Sequence, residues 1–200
     1  MLEWITMDDV AVIEDPAAAE VSLDPIRSRL LAELVTPGSA TMLAAKIGLP
    51  RQKVNYHLRT LEAHGLLRLV EERRKGNVTE RMLQATAASY VISPAAAAAV
   101  APDPARNPDR HSPRWLLALA ARLVRDVGAL LTGAAKANQR VATYALDTEI
   151  RFSSAAERAA FADELTKAVD DLSARYDTPG GRSHRVIAAV HPAAPGPNLP

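Results

Sequence analysis

Residues 39–65 read SATMLAAKIGLPRQKVNYHLRTLEAHG, and this stretch decides the fold of the N-terminal half of the chain. Ser39 is a favoured N-cap residue for a short helix, because its hydroxyl can accept a hydrogen bond from the first helical turn. Gly48 permits a tight turn, Pro50 suits the first position of a longer helix, and Gly65 ends that helix. The spacing therefore predicts two helices joined by a tight turn.

The residues on either side extend this pattern. Asp24 and Pro25 have the chemistry of an N-cap and a first helical residue, so a further helix precedes the pair. After the pair, two runs of alternating residues flank a short loop, which is typical of a β-hairpin. The predicted helix spans 24–35, and the predicted hairpin strands span 66–74 and 78–86. Helix, helix, turn, helix and hairpin is the order of a winged helix-turn-helix domain.

Charge is distributed unevenly along a chain whose formal net charge is only +1. Residues 1–35 carry eight acidic and two basic side chains, whereas residues 36–82 carry nine basic and four acidic ones. A basic block in a nearly neutral chain favours a surface that faces a polyanion, because phosphate contacts supply most of the non-specific affinity for nucleic acid. The alternative is a solvated basic surface that has no ligand.

The helix predicted at residues 50–64 has two chemically different faces. Val54, Leu58 and Leu61 fall on one side when residues are placed about 100° apart. The other side carries amide, aromatic and guanidinium groups, which read base edges and phosphates when a helix lies in the major groove. The residues predicted to contact DNA are Arg51, Gln52, Asn55, Tyr56 and Arg59 on this helix, and Arg73, Arg74 and Lys75 in the hairpin.

Two quoted runs, LDPIRSRLLAEL at 23–34 and LAAKIGLPRQKVNYHLRTLEAHGLL at 43–67, resemble the ArsR-type winged helix regulators. The likeness covers roughly residues 10–94 and leaves residues 114–200 outside it. It implies a homodimeric bacterial transcription factor whose recognition helix spans Pro50–His64. It also implies that the hairpin, the wing, touches the DNA backbone or the minor groove.

Metal-sensing members of that family carry a Cys-rich motif, or His and Asp ligands on a C-terminal helix. This chain has no Cys, and the long helix that begins near Arg114 has no His pair. We therefore expect no metal site and no cofactor. His184 and His191 lie seven residues apart in a predicted strand, which puts them on opposite faces and about 23 Å apart.

Enzyme and membrane classes find no support in the sequence. It contains no G-x-S-x-G, no phosphate-binding loop, no H-E-x-x-H and no dinucleotide glycine pattern. It shows no secretory signal pattern and no uninterrupted apolar run of about 18 residues. We expect a cytoplasmic protein that is not an enzyme and has no membrane partner.

The second half of the chain begins with five prolines and an alanine run at residues 94–113, which predict a linker. A long helix follows, from about 114 to 138, with apolar residues at alternating spacings of four and three. This repeat favours a seam between the helices of two subunits, and the alternative is a helix packed on its own domain. The residues predicted at the dimer interface are Leu116, Leu123, Val127 and Leu130.

A strand–helix–strand module is predicted to end the fold, with strands at 142–152 and 185–191 and a helix begun by Ser154 and Glu157. Two strands and one helix are too few for an independent sheet, so they complete a sheet with other elements, a second subunit among the candidates. The aromatic residues form either a pocket for a small apolar or aromatic effector or simply the core. These residues are Trp115, Tyr144, Phe152, Phe161 and Tyr176.

Taken together, these patterns predict a mainly α, α+β protein. The predicted domains are a winged helix-turn-helix domain at 1–93, an Ala/Pro-rich linker at 94–113, a dimerisation and effector module at 114–192, and a disordered tail at 193–200. The predicted function is a homodimeric transcriptional regulator, a repressor, that binds double-stranded operator DNA. The alternative is a protein-interaction adaptor on a winged helix scaffold, which would show little salt-dependent affinity for duplex DNA.

Overall fold

A computed structural model describes residues 7–75, 78–106, 109 and 112–193, without the side chains at positions 75 and 78. The chain divides into two compact units, Met1–Val141 and Ala142–Pro200. The helices are α1 (Pro16–Leu23), α2 (Pro25–Glu33), α3 (Ala40–Ile47), α4 (Arg51–Ala63), α5 (Pro113–Lys136) and α6 (Ala155–Tyr176), and the strands are β1 (Asp8–Ile13), β2 (Leu67–Lys75), β3 (Val78–Ala85) and β4 (Ala87–Ile92). Two short 3₁₀ helices, Pro94–Val100 and Pro104–Arg106, precede α5.

The predicted helix starts of the N-terminal half are confirmed by their caps. The Asp24 carboxylate accepts hydrogen bonds from the backbone N–H groups of Ile26 and Arg27, at 2.9 and 3.0 Å, and so begins α2. The Ser39 hydroxyl accepts from the backbone N–H of Met42 at 3.3 Å and begins α3. Gly48 ends α3 with a φ of 72°, a left-handed conformation that glycine adopts without the steric cost of a side chain.

The predicted hairpin is confirmed as well. β2 and β3 pair antiparallel from Leu67 opposite Ala85 to Lys75 opposite Val78, with an irregularity between Leu69 and Glu71. The loop residues Gly76 and Asn77 lie outside the described residues. The order of α2, α3, α4 and this hairpin is that of a winged helix-turn-helix domain.

A second, parallel pair of strands was not anticipated from the sequence. β1 pairs with β4 in a register that runs from Asp8 opposite Ala87 to Ile13 opposite Ile92. The helices pack beside this pair around a core whose centre is formed by α2 and α4. The most deeply buried aliphatic side chains there are Leu30, Leu34, Val54 and Leu61.

The segment predicted as a linker, 94–113, has contacts with the first unit. Its described residues include the two 3₁₀ helices, both of which contact α5, and the first of which also contacts α1. α5 also packs on β1, and a Cβ at Gly128 would lie 2.8 Å from Val12 Cγ1, so glycine is needed for this close approach. The division between units therefore falls after Val141 and not at 94–113. The roles assigned to the predicted domains remain predictions.

The second unit has the predicted helix but not the predicted strands. The Ser154 hydroxyl accepts from the backbone N–H of Glu157 at 3.1 Å, which begins α6. Residues 142–152 and 185–191 are irregular, because a strand needs a neighbour for its backbone groups and neither segment has one within 142–193. The tail predicted as disordered lies, from 194 onwards, outside the described residues.

Candidate nucleic-acid interface

α4 combines a buried side with an exposed polar side. Val54, Leu58 and Leu61 are buried against the rest of the first unit. Because these three residues anchor one side of a helix of 13 residues, the opposite side is held in a fixed orientation towards solvent. The two faces predicted from the sequence are therefore present in the structure.

The residues predicted on the outward face of α4 do lie together. Four of them are exposed, Asn55 is half-buried, and the Tyr56 side chain keeps 66% of its surface accessible. The Tyr56 ring makes an edge contact with His57 at a centroid distance of 5.4 Å, which supports the ring from the protein side. The exposed members are Arg51, Gln52, Tyr56 and Arg59.

A polar cleft of about 200 Å³ lies between α3, α4 and β3. From α4 it is lined by Arg51, Asn55 and Arg59, which are three of the five helix residues predicted to contact DNA. From the hairpin it is lined by Thr79, Glu80 and Arg81, which the sequence did not single out. Arg81 is already paired with Glu62, so the guanidinium groups that the cleft presents to an anionic backbone are those of α4, with amide and hydroxyl donors beside them.

Arg81 connects the wing to α4. Its Nη2 and Nη1 atoms donate to the two carboxylate oxygens of Glu62 at 2.7 and 3.0 Å, and its Nε lies 3.9 Å from Glu72. The hydrogen bond from Arg81 lowers the pKa of Glu62, and the same bond raises the pKa of Arg81. A two-point contact of this kind fixes the direction as well as the distance of the wing.

A second contact holds β3 to the start of α3. The fully buried Ser39 donates its hydroxyl hydrogen bond to Glu80 at 2.5 Å while it accepts from the first turn of α3. The residue that caps α3 therefore also connects this helix to the hairpin through a hydrogen bond. With the Glu62–Arg81 pair, it connects α3, α4 and β3 into one continuous surface.

Arg73 and Arg74, two of the three residues predicted to contact DNA from the wing, are exposed. Arg73 and Arg74 lie on β2, opposite Glu80 and Thr79 of β3, respectively. Arg73 donates from Nε to Glu71 at 2.8 Å. The backbone of Lys75 ends β2, but its side chain lies outside the described residues.

His57 is an unexpected feature of α4. Its side chain is 6% exposed, and neither ring nitrogen has a hydrogen-bond partner among the described residues. Burial lowers its pKa most strongly, Arg27 and Lys53 lower it further, and Asp24 raises it. The helix that carries the polar face is therefore packed through a histidine that favours its neutral form.

The residues predicted for the dimer interface lie on α5 in two environments. Leu123 and Leu130 are 45% and 43% exposed, whereas Leu116 and Val127 are half-buried. The helix thus leaves an apolar stripe partly open to solvent, although its buried residues Ala118 and Leu119 pack within the first unit.

The aromatic residues predicted as an effector pocket are only partly brought together. Trp115 lies half-buried on α5 in the first unit. In the second unit, the rings of Phe152 and Phe161 contact each other at a centroid distance of 5.3 Å. Tyr144 and Tyr176 are 88% and 73% exposed. The effector pocket therefore stays a prediction.

In the part of the chain that the structure describes, no group of three or more His, Asp or Glu residues lies close enough to hold a metal ion. Among the helices described, none has both the length and the apolar character needed to cross a membrane.

Comparison with known protein families identifies a domain in the N-terminal half of the chain. Residues 23–70 match the family model of a helix-turn-helix domain. This range contains all of α2, α3 and α4 and the beginning of β2. No curated protein matches the chain significantly. The chain therefore contains a helix-turn-helix domain at residues 23–70, and this domain supports a DNA-binding transcriptional regulator.

Proposed function

We propose that the protein is a homodimeric, sequence-specific transcriptional repressor of the ArsR type, which binds double-stranded operator DNA. The observation that carries this proposal is the exposed face of α4. This face carries arginine, amide and tyrosine side chains, and Val54, Leu58 and Leu61 anchor the opposite face in the core. A helix of this width fits the major groove.

Each group on this face has a chemical partner on duplex DNA. In the proposed complex Arg59 donates to guanine O6 and N7, and Gln52 and Asn55 pair with adenine N6 and N7. Tyr56 contacts a phosphate or a thymine methyl group. Arg51, which lines the cleft beside α4, contacts a phosphate in the proposed complex. Phosphate contacts position the helix on the duplex but carry no sequence information.

The wing supplies further positive charge to the DNA backbone. Arg73 and Arg74 are exposed on β2, and Lys75 follows them at the end of that strand. Contacts of this kind raise affinity for any duplex and make it depend on salt. The ion pair between Glu62 and Arg81 connects the helix to the wing, so both can contact the same duplex.

Dimerisation through α5 completes the proposal. The stripe with Leu123 and Leu130 is partly exposed in one chain, and a second copy would remove it from water at about 25 cal/mol per Å². A two-fold dimer places its recognition helices about 34 Å apart, one turn of the duplex. The operator expected for such a dimer is an inverted repeat.

The remaining parts of the proposal concern where the protein acts and what residues 114–192 do. We infer a cytoplasmic bacterial protein without enzymatic activity, metal or cofactor, whose residues 114–192 serve dimerisation and the binding of a small apolar or aromatic effector. The amphipathic α5 and the contact of Phe152 with Phe161 support this inference.

Selection from a random pool of duplex DNA with the full-length protein tests the proposal. We expect enrichment of an inverted repeat whose half-sites lie about 10 base pairs apart, centre to centre. Affinity for the enriched duplex should fall steeply as salt is raised. If no sequence is enriched and duplex binding is absent at low salt, the chain is not a DNA-binding regulator, and the protein-interaction adaptor becomes the better account.

A further inference from the structure

The second unit exposes nearly all of its apolar side chains. Within residues 142–193 no residue is buried. α6 has an apolar face along its whole length, of which Phe161, Leu165 and Val169 are half-buried and Leu172 and Tyr176 are exposed. A helix of 22 residues gains most of its stability when such a face packs against another element. We therefore expect another element to pack on this face.

The segment at 142–152 is fixed at one end on the same side as that face. Glu157 accepts hydrogen bonds from the backbone N–H and the hydroxyl of Ser153, both at 2.6 Å, and the Phe152 ring rests on Phe161. Further back in the segment, Tyr144, Leu146 and Ile150 are exposed. The segment therefore contacts α6 at one end and leaves its other apolar side chains uncovered.

The segment at 185–191 is likewise irregular and rich in apolar residues, of which Val186 and Val190 are exposed. Neither segment has a strand partner within 142–193. Two strands and a helix from a single chain would form a sheet with both edges open, which is marginal in water. Two copies would supply four strands and two helices, enough for a two-layered core.

The two segments are complementary in charge. Asp147 gives the first segment an acidic residue, since Glu149 is paired with Arg151 at 3.1 Å, whereas the second segment follows the basic Arg182. Opposite charges on neighbouring strands stabilise a pair, and like charges directly opposite each other destabilise it. The two kinds of segment therefore suit each other as neighbours, and the number of strands that a stable sheet needs favours a second copy as the source of the additional ones.

We propose that the second unit assembles with the second unit of another copy into one intermolecular β-sheet, in which residues 142–152 and 185–191 form the strands and the two α6 helices cover one face. This self-association surface deepens the dimerisation role proposed for residues 114–192 by naming the strands that carry it, and it rests on that part of the proposed function. DNA binding through α4 and dimerisation through α5 do not require it.

The absence of cysteine from the chain makes cross-linking a clean test. Two differently tagged full-length chains are co-expressed, one with Asp147→Cys or Thr148→Cys and the other with Ala188→Cys or Ala189→Cys, so that both faces of each strand are sampled. The pure protein is treated with a bifunctional maleimide that spans about 8 Å, the reach of directly opposite and diagonal strand neighbours. The matched control carries Lys167→Cys, on the far side of α6, in both chains.

For at least one pair of strand positions we expect a covalent product that joins the two tagged chains. Its yield should exceed that of the Lys167→Cys control about tenfold, because pairing holds the two cysteines at a high effective concentration. A product no greater than the control overturns the proposal. A third sample has Thr148→Cys and Ala188→Cys in the same chain; a cross-link within that chain, with none between differently tagged chains, also overturns the proposal, because the sheet would then be closed in one copy. The affinity of each variant for a DNA duplex is measured in parallel and should be unchanged, so failure of the sheet is distinguishable from failure of the DNA-binding proposal.

Discussion

Glu62 and Arg81 lie 19 residues apart in the chain and meet in a two-point ion pair, with N–O distances of 2.7 and 3.0 Å. Glu62 belongs to the last turn of α4, and Arg81 lies in β3. The pair therefore connects the helix proposed to read bases with the wing proposed to hold the backbone. Because of this ion pair, the outward side of α4 and the wing form one continuous surface.

This ion pair is expected to contribute modestly to stability. Both side chains remain partly exposed, so solvent screening limits the coupling energy between Glu62→Ala and Arg81→Ala to about 0.5–1 kcal/mol near neutral pH. Urea unfolding of the two single variants and the double variant measures it. Because the pKa of Glu62 is lowered in the folded state, the contribution is present above the unfolded value of 4.5 and is lost as pH falls through the lowered value. A coupling energy that persists in strong acid would contradict this assignment.

His57 is expected to make the first unit sensitive to acid. Burial lowers its pKa below the unfolded value of 6.5, so between the two values the unfolded chain binds more protons. Stability should therefore fall as pH drops from above 6.5 towards the lowered value. His57→Leu should remove this dependence when unfolding is followed by circular dichroism across that range. The control is His184→Ala in the second unit, and equal pH profiles for His57→Leu and the unaltered protein would rule the explanation out.

The wing is expected to act mainly through charge. Replacement of Arg73, Arg74 and Lys75 by Ala should flatten the slope of log affinity against log salt by about two to three units, because fewer counterions are released. Fluorescence anisotropy with one duplex at several salt concentrations measures the slope. If sequence preference changes while the slope stays constant, the wing reads bases and its proposed role is wrong.

The apolar stripe of α5 is expected to hold the dimer. Leu123→Glu combined with Leu130→Glu would place charges in the subunit interface, where an unpaired charge costs several kcal/mol. Sedimentation should then show a monomer with an unchanged helical spectrum and operator affinity lower by orders of magnitude. Ala129→Glu, on an exposed position away from the stripe, is the matched control and should stay dimeric. A double variant that also stays dimeric would place the interface elsewhere.

The helix-turn-helix order could be predicted because its signals are local. Asp24, Ser39 and Gly48 each act within a few residues of their own position, and the structure uses each of them for the cap or turn that its chemistry favours. The outward face of α4 follows from the same helical period that buries Val54 and Leu61.

The features that escaped prediction depend on distant parts of the chain. β1 exists because Asp8–Ile13 pairs with Ala87–Ile92, and no local pattern announces a partner so far along the chain. Arg81 enters the cleft only through the register of the hairpin and the bond to Glu62. At 142–152 and 185–191 the local pattern predicted strands that the structure does not have. Apolar and polar residues alternate there as in a strand, but a strand forms only when a neighbouring strand pairs with its backbone groups.

The central claim is that the exposed face of α4 reads DNA sequence, and the affinity of Gln52→Ala/Arg59→Ala for a selected operator tests it most directly. The control is Arg158→Ala/Arg175→Ala, which removes exposed positive charge from α6. The account predicts a loss of about 1–3 kcal/mol for each base-contacting residue, or about 5- to 150-fold in affinity, with an unchanged unfolding transition and unaltered binding by the control. Equal affinity for the unaltered protein and the Gln52→Ala/Arg59→Ala variant would contradict it.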